Sequence, residues 1–121
     1  MDVLNIAGTD DTPTITLDKA ANVIEFSGRS LPEDVASFYG PALAWIDEFV
    51  KDPNPHTDIN FKLEYFNTAS SKMLLEILLK FEDIKDNVVI KWHYHEDEED
   101  IKEAGEEYAD IVDVPFEYVE Y

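Results

Sequence analysis

Hydrophobic and polar positions along the chain fall into short runs with two different periods. Residues Thr14 to Leu17 alternate, with Ile15 and Leu17 on one face, and Asn22 to Phe26 alternate again, with Ile24 and Phe26 on one face. The Asp18-Lys19-Ala20-Ala21 connection between them is short enough for a hairpin. Asp58 to Phe66 is the cleanest strand pattern: Ile59, Phe61, Leu63 and Tyr65 point one way, Asn60, Lys62 and Glu64 the other. Val88 to His95 predicts a further strand, in which Val88-Val89-Ile90 suits a central place buried on both faces. Pro115 to Tyr121 predicts a last strand at an edge, because proline at its start cannot donate to a ladder.

Helical spacing fills the intervals. Ser30-Leu31-Pro32-Glu33 has the form of a capping box, in which serine and glutamate satisfy each other's backbone amides. Behind it Val35, Phe38, Tyr39, Ala42, Leu43, Ile46, Phe49 and Val50 recur at helical intervals. Gly40-Pro41 predicts a kink or two short helices, since proline removes a backbone donor and crowds the preceding turn. Asp52-Pro53-Asn54-Pro55 ends the segment. A second helix follows the polar turn Asn67-Thr68-Ala69-Ser70-Ser71-Lys72 and runs to about Ile84, with Asn67, Thr68 and Ser70 as candidate caps. A third spans Glu99 to Val112, marked by Ile101, Ala104, Tyr108, Ile111 and Val112; its early acids complement the positive end of the helix dipole. The order is β-β-α-β-α-β-α-β, an α/β sandwich of about three helices on a mixed sheet.

Size and composition narrow the function classes. At 121 residues and 45% hydrophobic, the chain is expected to be one globular domain over residues 1–121. Acids outnumber bases 28 to 9, for a net charge of −19, which argues against nucleic acid or an anionic membrane surface as partner. Twelve acids and one base, Lys102, lie between Glu96 and Tyr121, as a solvated helix face or a partner-selecting surface. No cysteine is present, so disulfides, thiolate metal sites and cysteine nucleophiles are excluded. No apolar run reaches about 18 residues and the first residues carry no basic segment, so a cytoplasmic location without membrane insertion is expected.

Three places could carry chemistry. The strand-to-helix turn gathers Thr68, Ser70, Ser71 and Lys72 where unpaired helix amides could hold phosphate oxygens; the same hydroxyls also serve as ordinary caps. No G-x-S-x-G pattern and no nearby base make any of them a nucleophile. His93 and His95 share one strand face, and with Glu96, Asp97 and Asp100 could hold zinc for a metal-dependent hydrolase. His56 falls in a proline-rich turn and is expected to be exposed. Thr9-Asp10-Asp11-Thr12-Pro13 has the form of half a magnesium site or of a plain turn. No glycine-rich phosphate loop exists, and nothing selects a carboxylate pair for glycosidase chemistry.

Strings spread over nearly the whole chain resemble one family. Thr9-Asp10-Asp11-Thr12-Pro13 is followed by Phe26-Ser27-Gly28-Arg29-Ser30-Leu31-Pro32-Glu33, then Phe38-Tyr39 and Trp45. Leu63-Glu64-Tyr65-Phe66-Asn67-Thr68-Ala69-Ser70-Ser71-Lys72, Trp92-His93-Tyr94, an acidic stretch and Gly105 complete the series. In this order they resemble the SiaC-type regulatory phosphoproteins of bacteria. The resemblance implies a STAS-like fold, of the anti-sigma-factor-antagonist type, without catalytic activity or cofactor. It implies phosphorylation of Thr68 by a dedicated kinase and removal of the phosphate by a PP2C-like phosphatase. It also implies that the unphosphorylated form binds and activates a diguanylate cyclase, raising cyclic-di-GMP and promoting biofilm. Ala69 departs from the family's usual serine. Asn67, Ser70, Ser71 and Lys72 are the accompanying candidates for partner contact, and Ser70 and Ser71 are competing acceptors. A hydrolase and an unmodified scaffold are the alternatives.

Overall fold

The computed structural model describes all residues, 1–121. Its elements are β1 (Leu4–Ile6), β2 (Thr14–Asp18), β3 (Val23–Ser30), α1 (Val35–Phe49), β4 (Thr57–Phe66), α2 (Thr68–Lys80), a 3-10 turn (Phe81–Ile84), β5 (Val88–Tyr94), α3 (Glu99–Ile111) and β6 (Phe116–Glu120). The strands form one six-stranded sheet in the order β1-β2-β3-β4-β5-β6. The first two pairings are antiparallel and the remaining three parallel, so the sheet is mixed as expected. Each parallel crossover steps to the next strand in the same direction. Right-handed crossovers of that kind place α1, α2 and α3 on the same face.

Alternation in the strands follows from this one-sided cover. Ile15, Leu17, Ile24, Phe26, Ile59, Phe61, Leu63, Val88, Ile90 and Trp92 join the helix residues in a single buried cluster. The other face carries polar residues that pair across strands, including Lys62 with Glu25 at 3.0 Å and Lys91 with Glu117 at 2.6 Å. Val88, Val89 and Ile90 are all buried, but Lys91 and His93 beyond them lie on this uncovered face, so β5 is not covered by helices on both sides.

Four further expectations are corrected. The three-residue β1 joins the sheet through Leu4 opposite Leu17 and Ile6 opposite Ile15, giving one strand more than the sequence pattern shows. The capping box at Ser30 does not form: β3 runs through Ser30, whose side chain is buried, and Asp34 caps α1 by accepting from the Ser37 amide. Two short helices do not form either; α1 continues through Pro41, which sits on its exposed side. Finally, Tyr65 leaves the face of Ile59, Phe61 and Leu63. No helix is long and apolar enough to cross a membrane.

Candidate functional site

The displacement of Tyr65 shapes the site. Gly28 pairs with Leu63 and Arg29 with Tyr65, so Glu64 is an extra residue in β4, opposite a glycine held at φ +102. A bulge re-aims the side chains that follow it. Phe66 therefore turns inward against Trp92, edge-on at 6.4 Å, and Tyr65 turns outward, 47% exposed, beneath the Arg29 guanidinium at 5.6 Å.

From Phe66 the chain passes directly into α2. Asn67 is the cap: its amide donates to Ser30 O at 3.1 Å, and its Oδ1 accepts from the Ser70 amide at 2.9 Å. The three hydroxyls of the turn then divide. Ser70 is fully buried; its Oγ accepts from Ser30 Oγ at 2.8 Å and donates to Ser30 O at 2.9 Å. With the Ser30 proton so used, the hydroxyl of buried Tyr39 donates to Ser30 Oγ at 2.6 Å, tying the start of α2 to α1. Ser71 is half-buried, and Tyr108 on α3 donates to its carbonyl at 2.8 Å, so Ser71 Oγ donates to the Tyr108 oxygen at 3.0 Å. Burial pushes the Tyr39 phenol up to about 12 and raises that of Tyr108, so each keeps its proton and remains a donor. Thr68 alone is exposed with its hydroxyl uncommitted, on the first residue of the helix. Ala69 and Lys72 beside it are also exposed.

Sequence reasoning could not separate these hydroxyls, because the partners that hold Ser70 and Ser71 lie 40 and 37 residues away along the chain. It also missed a groove of about 560 Å³ next to the turn. The groove runs between Glu64–Phe66 at the end of β4 and the acids Glu96 to Asp100, with Ile101 and Ala104, at the start of α3. The five consecutive acids were the available signal.

The histidines go elsewhere. His93 Nε2 lies 2.9 Å from Asn60 Oδ1 on the uncovered sheet face, and His95 Nδ1 lies 2.9 Å from Tyr121 O. No three His, Asp or Glu side chains come together to hold a metal ion. His56 is exposed, as expected, at 3.0 Å from Asp58. Thr9 to Thr12 is a closed turn, in which the Thr9 hydroxyl accepts from the amides of Asp11 and Thr12 at 3.2 and 3.0 Å.

His93 gives a pH prediction. Burial, and then the Lys62 charge, hold its imidazole below its ordinary value of 6.5, with Lys91 adding to this and Glu25 opposing it. The unfolded chain therefore takes up a proton near pH 6.5 that the folded chain resists, and this contribution to stability is lost as the pH falls through that point. Urea midpoints of wild-type protein should drop more between about pH 7.5 and 5.5 than those of His93→Gln, which cannot titrate. Equal drops would contradict this.

Comparison with known proteins places this arrangement among relatives. The model of the family described as SiaC family regulatory phosphoprotein matches residues 6–121. An uncharacterized protein of Pseudomonas aeruginosa (strain UCBPP-PA14) is 31% identical over 119 residues, covering 96% of this chain and 94% of that protein. The crystal structure of apo-SiaC from Pseudomonas aeruginosa superposes with a TM-score of 0.83 at 30% identity, over 98% of this chain and 99% of that one. A chain in the crystal structure of the diguanylate cyclase SiaD in complex with its activator SiaC, from the same organism, superposes with a TM-score of 0.87 at 29% identity, over 98% and 99%.

Proposed function

Since the chain belongs to the SiaC family of regulatory phosphoproteins, we propose that it is a phosphorylation-gated activator of a diguanylate cyclase, with Thr68 as the gate. The unmodified form binds and activates the cyclase; a kinase adds phosphate to Thr68 and a PP2C-like phosphatase removes it. One observation carries the choice of residue. Of the three hydroxyls in the turn, Thr68 is exposed and uncommitted, Ser70 is sealed in the core, and Ser71 is bonded to Tyr108. The docking surface in this reading centres on Asn67, Thr68 and Lys72, with Ser70 and Ser71 fixing the turn from beneath.

The gate needs no change of fold. Phosphate adds about −1.5 to −2 charges at neutral pH, on a residue whose own amide and that of Ala69 face no acceptor within the helix. After expression with its kinase, the protein should gain one phosphate-sized mass increment. Peptide fragmentation should place it on Thr68, and Thr68→Ala should gain none. Phosphate on Ser71, or none on the wild type, would overturn the assignment.

A further inference from the structure

Lys72 stands apart from every other cation in the chain. Of the nine basic side chains, Lys19, Lys51, Lys62, Lys80, Lys85 and Lys91 each lie within 3.1 Å of a carboxylate. Arg29 lies over the Tyr65 ring at 5.6 Å and Lys102 over the Tyr94 ring at 5.5 Å. Lys72 is exposed and has neither kind of partner, in a chain with 28 acids and a net charge of −19. Such a protein offers a carboxylate to almost every cation it carries, which sets an uncommitted lysine apart. Glu76 is one turn away on the same helix, but the order lysine then glutamate is the less favourable one, and the two do not pair.

The residue one turn before Lys72 is Thr68. Side chains at this spacing on a helix are neighbours, and the order acid then lysine is the favourable one. Resting on the reading of Thr68 as the phosphorylated residue, we propose that Lys72 receives the Thr68 phosphate and is withdrawn by it from the docking surface. In the unmodified protein Lys72 is a free cation, open to an acidic group on the partner. In the modified protein the neighbouring dianion captures it. One modification thus adds negative charge and cancels the uncommitted positive charge at the same place. Arg29 is engaged elsewhere. It lies next to buried Ser30 on β3, so its side chain leaves the opposite face of the sheet, where the Tyr65 ring holds it.

The test is a 31P NMR titration at low salt of protein carrying phosphothreonine installed at position 68 during translation, which needs no kinase. The second pKa of the phosphate should be higher by about 0.2–0.4 in Lys72→Gln than in wild type. Lys72→Arg should restore the wild-type value, Arg29→Gln should leave it in place, and the difference should shrink in about 1 M salt. Unfolding midpoints of the Lys72 variants should match wild type, since the side chain is exposed. Identical phosphate pKa values in wild type and Lys72→Gln would overturn the proposal, as would a rise in Arg29→Gln as large as that in Lys72→Gln. Absence of phosphate from Thr68 in cells that express the kinase would instead overturn the gate and leave this electrostatic result standing.

Discussion

Gly105→Ala should destabilise the protein by about 2–3 kcal/mol, lowering the unfolding temperature by roughly 10 °C. The sign is opposite to that given by helix propensity, which favours alanine over glycine inside a helix by about 1 kcal/mol. Gly105 lies within α3, and a Cβ there would meet Trp92 Cδ1 and Nε1 at 2.5 Å. The indole cannot move aside. It is 1% exposed, its Nε1 donates to Ile101 O at 2.7 Å, and the rings of Phe61 and Tyr108 lie 5.5 and 5.7 Å away. Relief requires α3 to lift off the sheet or the indole bond to break. Either cost exceeds the propensity gain. In a Trp92→Phe background, the same Gly105→Ala change should cost less than in wild type, because Nε1 and its hydrogen bond to Ile101 O are gone and the smaller ring, which keeps Cγ and Cδ1, is freer to move aside. Calorimetry of the two single variants and the double variant checks this. A Gly105→Ala protein as stable as wild type would contradict the packing described for α3.

Phosphate on Thr68 should weaken binding to the cyclase partner at least tenfold, the largest functional effect expected of any single site in the chain. Tenfold corresponds to about 1.4 kcal/mol. Burying an unpaired charge in an interface, or expelling it and losing the fit, readily exceeds that. Thr68→Ala should therefore keep the cyclase active in the presence of the kinase, while Thr68→Asp should bind less well than wild type. The scaffold beneath the turn is what keeps the effect local. Ser70 is bonded to Ser30 and through it to Tyr39 on α1, and Ser71 is bonded to Tyr108 on α3, so the helix start is anchored to both neighbouring helices.

Much of this was legible in the sequence where a pattern was long and local. Ile59, Phe61 and Leu63, followed by a polar turn and the apolar spacing of Met73 to Leu78, specified strand, turn and helix without outside help. The short β1 was not legible, because Leu4, Asn5 and Ile6 become a strand only by pairing with Leu17, Thr16 and Ile15. The burial of Ser30 is not legible, because a serine three residues before a glutamate fits a capping box equally well, and its actual partners, Tyr39 and Ser70, are 9 and 40 residues distant. The outward turn of Tyr65 is not legible either, because period-two alternation carries no sign of an inserted bulge residue; Gly28, the clue to it, lies on the neighbouring strand. The candidate site shared this division. Its location could be read from Asn67 to Lys72, but the difference in freedom among Thr68, Ser70 and Ser71 depends on contacts from three other elements.

The most direct test is to titrate the cyclase partner with this protein in two forms, Thr68 unmodified and Thr68 phosphorylated, under the same salt, and compare dissociation constants. The gate predicts tight binding by the unmodified form and a constant at least tenfold larger for the phosphorylated one. Equal constants for the two forms would contradict it.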